Sequence, residues 1–339
     1  MDVAALSSTA QSLVAPGKGI LAADESTPTM AKRLAAIGLE STEELRRAYR
    51  ELLFTTEGLS EHVSGVILFD ETVRQTADDG TAFPRLLERR GIIPGIKVDR
   101  GTKPLAGCPG EVGTEGLDGL RERFEEYAGL GLRFAKWRAV IRIAAGAPSA
   151  AALATDAHQL ARYAALAQEA GLVPIVEPEV LMDGTHDLAT CATVTERVLR
   201  EVYAQLALHG VALEATLLKP NMVLPGSESG ADVADAVIAR VTVDVLRRSV
   251  PAAVPGIVFL SGGQSDEAAT ARLDAINRIG GQPWELSFSF GRALQAPVLR
   301  AWAGDPENRA AAQAALGKRA RLNGAARRGA YERSLESAA

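Results

Sequence analysis

TLLKPN, residues 216–221, is an apolar run that presents one lysine and then meets a proline that stops it. Taken alone, Lys219 reads as an ordinary solvated residue at a strand end. The stretch gains weight because the same grammar recurs along the chain: a short apolar, β-branched segment closed by polar or charged residues. It returns at GILAADES (19–26), GVILFDE (65–71), GIKVD (95–99), LRFAKWR (132–138), VPIVEPE (173–179), GIVFLSGG (256–263) and LSFSFGR (286–292), which with TLLKPN makes eight.

Between these segments lie stretches of helical period. In Ser41 to Phe54, Leu45, Ala48, Leu52 and Leu53 recur at helical spacing, and Ser41 with Glu44 reads as a capping box. Asp156 to Ala170 is expected to stop at Gly171, and Ala231 to Val250 at Pro251. Strands alternating with helices predict parallel strands buried on both faces. Eight of them predict an α/β protein built as a closed (β/α)8 TIM barrel over residues 1–305, with a C-terminal helical tail over 306–339 that ends in a frayed ESAA. A doubly wound open sheet is the alternative, but LAADEST after the first segment has no GxGxxG turn.

Composition narrows the function classes. The 339 residues are 47% hydrophobic and 23% charged, as in an ordinary globular protein with a full core. A net charge of -5 argues against a nucleic-acid footprint, and no apolar run approaches the roughly 20 residues of a membrane span. The N-terminus has no basic region followed by an apolar core, so a cytoplasmic location is expected. Cys108 and Cys191 form no CxxC and read as small buried hydrophobes.

In a barrel the C-terminal strand ends converge on one mouth, which joins residues far apart in the chain. Read in order they are Asp24, Glu25 and Ser26; Asp70 and Glu71, with no evident role; Lys97; Lys136 and Arg138; Glu177 and Glu179; Lys219; Ser261, Gly262 and Gly263; Ser289, Gly291 and Arg292. Lysines, carboxylates and a glycine turn in one cavity suggest an acid/base pair in a cationic, phosphate-binding site. LSGGQS ends a strand and opens a helix, so its amides are expected to hold an anion, with Arg292 closing on it as a forked donor. His62, His158, His186 and His209 fall in expected helices or loops, so no metal site and no cofactor is anticipated. That leaves the amine: Lys136 and Lys97 across a partly dry mouth are expected to favour the nucleophilic form of Lys219, whose attack on a carbonyl gives a Schiff base.

GKGILAADEST, GVILF, GIKVDRG, LAG, GLDGL, FAKWR, PSA, ARYA, VPIVEPE, DGTHDL, TLLKPNMV, FLSGGQS, AIN and FSFGRALQ, in this order and across nearly the whole chain, resemble class I fructose-1,6-bisphosphate aldolases. The resemblance implies a phosphorylated sugar as substrate, with Lys219 as Schiff-base lysine. It implies Glu177 as the acid/base of carbinolamine dehydration, Glu179 and Lys136 tuning it, and Asp24 beside the C3 and C4 hydroxyls. Ser261, Gly262, Gly263, Ser289, Gly291 and Arg292 would take the C1 phosphate; Ser26, Lys97 and Arg33, with Arg138 nearby, would take the other. A homotetramer is also implied. The chain departs from the vertebrate pattern in three places: Tyr331 is the last tyrosine and is not terminal, Pro28 and Thr29 stand in ESTPT for glycine and serine, and Phe290 replaces a tyrosine, losing a hydroxyl near the phosphate. Two alternatives remain: the same chemistry on sedoheptulose 1,7-bisphosphate, and a scaffold that has lost its chemistry.

Overall fold

The computed structural model describes residues 1–337. Eight parallel strands close on themselves: β1 (Gly19–Ala23), β2 (Val63–Leu68), β3 (Ile93–Lys97), β4 (Phe134–Ile141), β5 (Val173–Val180), β6 (Leu217–Leu218), β7 (Gly256–Phe259) and β8 (Glu285–Phe290). Each pairs with the next, and Ile20 with Ser289 and Leu21 with Phe290 close the ring. The (β/α)8 barrel expected from eight recurrences is the fold.

The two-residue period of the strands sorts their side chains. Ala135, Trp137 and Ala139 of β4 point outward into the core shared with the helices. Phe134 belongs instead to a second apolar cluster with Ile20, Ala22, Ile67, Val173, Ile175, Leu217 and Val258, which fills the lower interior of the barrel. The first helix, Val3–Leu13, closes that cluster from below with Leu6, Ala10 and Leu13. Continuing upward at the same period, the interior turns polar: Lys136 after Phe134, Glu177 and Glu179 after Ile175, and Lys219 after Leu217. A dry floor therefore carries a charged upper layer.

Several sequence expectations are corrected. β4 runs three residues beyond Arg138, held by pairing with β5 as far as Ile141 with Val180. β6 is only two residues long, because Pro220 has no amide to give; Lys219 N–H still donates to Val176 O at 2.8 Å, and Pro220 O accepts from Leu260 N at 3.0 Å. The capping box does not form. Thr42 is the cap, its Oγ1 accepting from Leu45 N at 3.1 Å; Ser41 Oγ accepts from Arg46, and Glu44 pairs with Arg47 at 2.7 Å. The helix read from Asp156 starts at Ala150 under a Ser149 cap, and the one read from Ala231 spans Asp235–Ser249. An antiparallel hairpin, Thr102–Pro104 with Val112–Thr114, had no period long enough to announce it.

The tail forms a short turn, Pro306–Asn308, and a helix, Arg309–Ala326, against the outer layer. Arg327 ties it to the barrel floor, donating to Val14 O, Ala15 O and, at 2.7 Å, to Glu285. Of the expected frayed ESAA, Ala338 and Ala339 lie outside the described residues, and Glu336 is anchored: Arg319 Nη1 donates to both its carboxylate oxygens at 2.6 and 2.7 Å. Cys191 is buried, but Cys108 sits half-buried in a surface loop, so only one cysteine is a core residue. Of the histidines, His158 is exposed and the other three are half-buried in loops or at helix ends.

Candidate active site

The upper barrel layer holds a compact charge network. Lys136 and Lys219 are 3% and 4% exposed, so both amines must find partners inside the protein. Both reach Glu177, Lys219 Nζ at 3.1 Å from Oε1 and Lys136 Nζ at 3.2 Å from Oε2. Lys136 also lies 2.7 Å from Asp24 Oδ2 and 4.0 Å from Asp99. Burial acts against the charge on both Asp24 and Lys136. Their partners outweigh it: Lys136 first, then Lys219 and Lys97, hold the Asp24 carboxyl well below the usual range, and Asp24, Glu177 and Asp99 push the Lys136 ammonium well above its own. Lys136 is thus a fixed cation and Asp24 a fixed anion at neutral pH. One carboxylate, Glu177, faces the Lys219 amine.

These groups open into a cavity of about 540 Å³ at the mouth. Along one side stand Ser261, Gly262, Ser289, Gly291 and Arg292. Ser289 Oγ is buried with no partner among the described residues, so it is free to donate to an occupant. On the far side, Ser26, Thr29, Lys97 and Arg138 border both this cavity and a second one of about 740 Å³ that continues past Asp99. Lys97 Nζ is 2.6 Å from Asp99 Oδ1, and Arg138 pairs with Glu179. Cations therefore flank the central amine on two sides, as a substrate with an anionic group at each end requires.

Three expectations about phosphate-binding residues change. The helix after LSGGQS begins only at Asp266, capped by Ser265 Oγ on Ala268 N at 3.1 Å and carrying Asp266 and Glu267 in its first turn. An N-terminus already capped and acidic is a poor anion site. The open one belongs to the next helix, Arg292–Trp302, whose Gly291 start has no side-chain cap and lies at the mouth. Gly263 does not line the cavity; it turns the chain at φ +72° beside Met182. Arg33 borders the mouth but its guanidinium is engaged by Glu25, a buried carboxylate also held by Arg50 at 2.8 Å and Gln295 at 2.8 Å.

Sequence reading missed Asp99 and Lys32. Asp99 closes the segment GIKVD and so was visible as a strand end, whereas Lys32 reaches the mouth from the helix Thr27–Ala35 and carries no such mark. Asp70 and Glu71, left without a role, are structural: Asp70 accepts from Tyr127 at 2.8 Å, and Glu71 takes a two-pronged pair from Arg46 at 2.7 and 2.6 Å.

The family model "Fructose-bisphosphate aldolase class-I" matches residues 5–339. The chain belongs to the class I fructose-bisphosphate aldolase family. It is 55% identical over 333 residues to a probable fructose-bisphosphate aldolase class 1 of Xanthomonas axonopodis pv. citri, covering 98% of this chain and 100% of that one. It is 58% identical over 318 residues to the cytosolic fructose-bisphosphate aldolase 6 of Arabidopsis thaliana, covering 94% and 88%. Among solved structures it matches fructose-bisphosphate aldolase from Plasmodium falciparum, crystallised with TRAP and a small-molecule inhibitor, with a TM-score of 0.96 and 50% identity over 97% of this chain and 96% of that one.

Within this aldolase framework two departures lie away from the mouth. The Phe290 ring is fully buried in the outer core, 5.4 Å from Phe288, so a tyrosine hydroxyl there would not face the phosphate side of the cavity. Tyr331 is fastened to the helix Asp266–Ile279 through Asp274 and Arg278, and its hydroxyl bonds Glu336 at 3.0 Å. The third departure is local: Pro28 starts the helix Thr27–Ala35, and Thr29 Oγ1 lies 3.1 Å from Ser26 Oγ, so the pair presents two hydroxyls to the cavities.

Proposed function

We propose that this chain catalyses the reversible cleavage of fructose 1,6-bisphosphate to dihydroxyacetone phosphate and glyceraldehyde 3-phosphate through a Schiff base on Lys219. The observation that carries the reading is Glu177, whose two oxygens sit 3.1 Å from the Lys219 amine and 3.2 Å from the Lys136 ammonium. In that position Glu177 accepts the proton that Lys219 must lose before attacking C2. It returns the proton to the carbinolamine oxygen as water leaves. The resulting cationic imine withdraws electrons from the C3–C4 bond, so loss of the C4 hydroxyl proton breaks that bond and leaves an enamine and an aldehyde. Asp24, held ionised by Lys136, accepts hydrogen bonds from the C3 and C4 hydroxyls and orients them, and the C4 hydroxyl proton passes to Glu177, which dehydration has returned to its carboxylate form.

Ser261, Gly262, Ser289, Gly291 and Arg292 serve as the C1-phosphate anchors, with Gly263 shaping their turn. Ser26, Lys97 and Arg138 serve the other end, Glu179 holds Arg138 in place, and Arg33, paired with Glu25, borders the mouth. Residues 1–305 act as the catalytic barrel and 306–339 as its strap. The enzyme works in the cytoplasm as a homotetramer, a reading supported by the cytosolic name of the Arabidopsis relative for location only. The cavity extending beyond Lys97 and Arg138 also favours a second substrate one carbon longer, sedoheptulose 1,7-bisphosphate.

The test is borohydride trapping with dihydroxyacetone phosphate followed by peptide mapping. A stable adduct on Lys219 is expected. An adduct elsewhere, or none while activity demands an added divalent metal, overturns the mechanism.

A further inference from the structure

Away from the mouth, the hairpin Thr102–Pro104/Val112–Thr114 folds over the end of β4 and the helix Ala150–Glu169, and encloses a separate cavity of about 190 Å³. Its depth is set by Asp156, a residue 4% exposed in the middle of that helix. Thr114 presents its backbone amide to this carboxyl, but Asp156 Oδ1 is buried with no partner among the described residues. A buried carboxyl oxygen left unmatched is costly, so the group marks a place where a polar partner is wanted.

The remaining lining says what kind of donor. Ile141 and Leu153 supply buried apolar wall. Glu111 stands at the side, one oxygen accepting from Ser149 N at 2.8 Å. Arg142 is exposed at the edge and forms no ion pair among the described residues. Two carboxyl groups against one rim guanidinium leave the pocket formally anionic, and its volume equals about six waters at roughly 30 Å³ each, room for an organic group of five or six heavy atoms.

We propose that this cavity is a second ligand site, separate from the aldol centre, that takes a compact organic cation: a primary ammonium on a short apolar stem, its N–H donated to Asp156 and its carbons laid on Ile141 and Leu153. The site is also joined to the mouth, since Thr114 Oγ1 donates to Arg138 O at 2.8 Å.

The probe is n-butylammonium chloride, titrated by calorimetry and by amide chemical shifts into the full chain without sugar substrate. The titration runs at pH 8 and constant ionic strength, because burial first and Glu111 second raise the Asp156 carboxyl to about 7, so that it is ionised there. n-Butanol and butyrate are the comparators. Saturable butylammonium binding is expected, with the alcohol and the acid at least about tenfold weaker. Asp156→Asn, nearly isosteric, should weaken the ammonium by at least about tenfold, and Ala152→Leu, which fills the pocket, should abolish binding. Equal affinity for the alcohol, no saturable binding, or binding unchanged in Asp156→Asn overturns the proposal. Borohydride trapping at Lys219 is run on the same samples, so failure here is distinguished from failure of the aldol reading.

Discussion

Replacing Asp156 by Asn should make the protein more stable at alkaline pH, and the size of the gain follows from where the carboxyl sits. Burial, with Glu111 adding to it, moves this carboxyl from 3.8 to about 7 in the folded chain. The folded state therefore binds more protons than the unfolded state between these values, so the stability contributed by the protonated group is complete below 3.8 and is lost as pH rises through 7. At about 1.36 kcal/mol per pKa unit, a shift of roughly three units leaves the wild-type chain carrying about 4 kcal/mol of penalty above pH 7. Asparagine keeps the shape and an acceptor for the Thr114 amide but cannot ionise. Urea unfolding of both proteins at one fixed concentration, at pH 5.5 and pH 8, is the assay. From pH 5.5 upward about 1.5 units of that shift remain, so the variant should gain about 2 kcal/mol on the wild type across the interval. Parallel pH profiles would refute the reasoning, because they would mean that Asp156 keeps an ordinary carboxyl in the folded state.

Glu177→Gln should lower kcat by about 10²–10⁴-fold, since the amide can neither take the Lys219 proton nor return it to the carbinolamine; steady-state turnover and the rate of Schiff-base trapping both report this, and an unchanged kcat would sink the assignment. Gly262→Ala should raise KM for the bisphosphate by about tenfold with a smaller change in thermal midpoint, because the added methyl would lie 2.7 Å from Glu179 Oε1 and displace the carboxylate that holds Arg138. A KM equal to that of the wild type would show that this approach does not matter.

The interior side chains were legible because a strand has a period of two and a barrel has one interior. Once Lys219, Glu177, Lys136 and Asp24 are placed at the ends of apolar segments, closure obliges them to meet. Asp99 was readable on the same terms. Lys32 was not, since a lysine on an exposed helix carries the same signal whether it borders a cavity or bulk water. The uncapped helix start at the mouth went unseen for a related reason. A Gly-Gly turn before a helix and a Gly-Arg start to a helix look alike in one dimension, and the difference lies in Ser265 capping the first while nothing caps the second. The hairpin over Asp156 was invisible because three-residue strands have too few positions to show alternation.

By itself, then, the sequence determined the alternation of strands and helices, the number of barrel strands, and the identity of the charged residues at their ends, because local period and side-chain chemistry are properties of short segments. The tertiary structure alone decided which charges touch. It put Lys219 and Lys136 on opposite oxygens of one carboxylate, withdrew Arg33 to Glu25, plugged the barrel floor with the first helix, and buried Asp156 at the wall of a second cavity with Oδ1 unmatched. Those outcomes depend on distances of a few ångströms between residues scores of positions apart, and only barrel closure sets them.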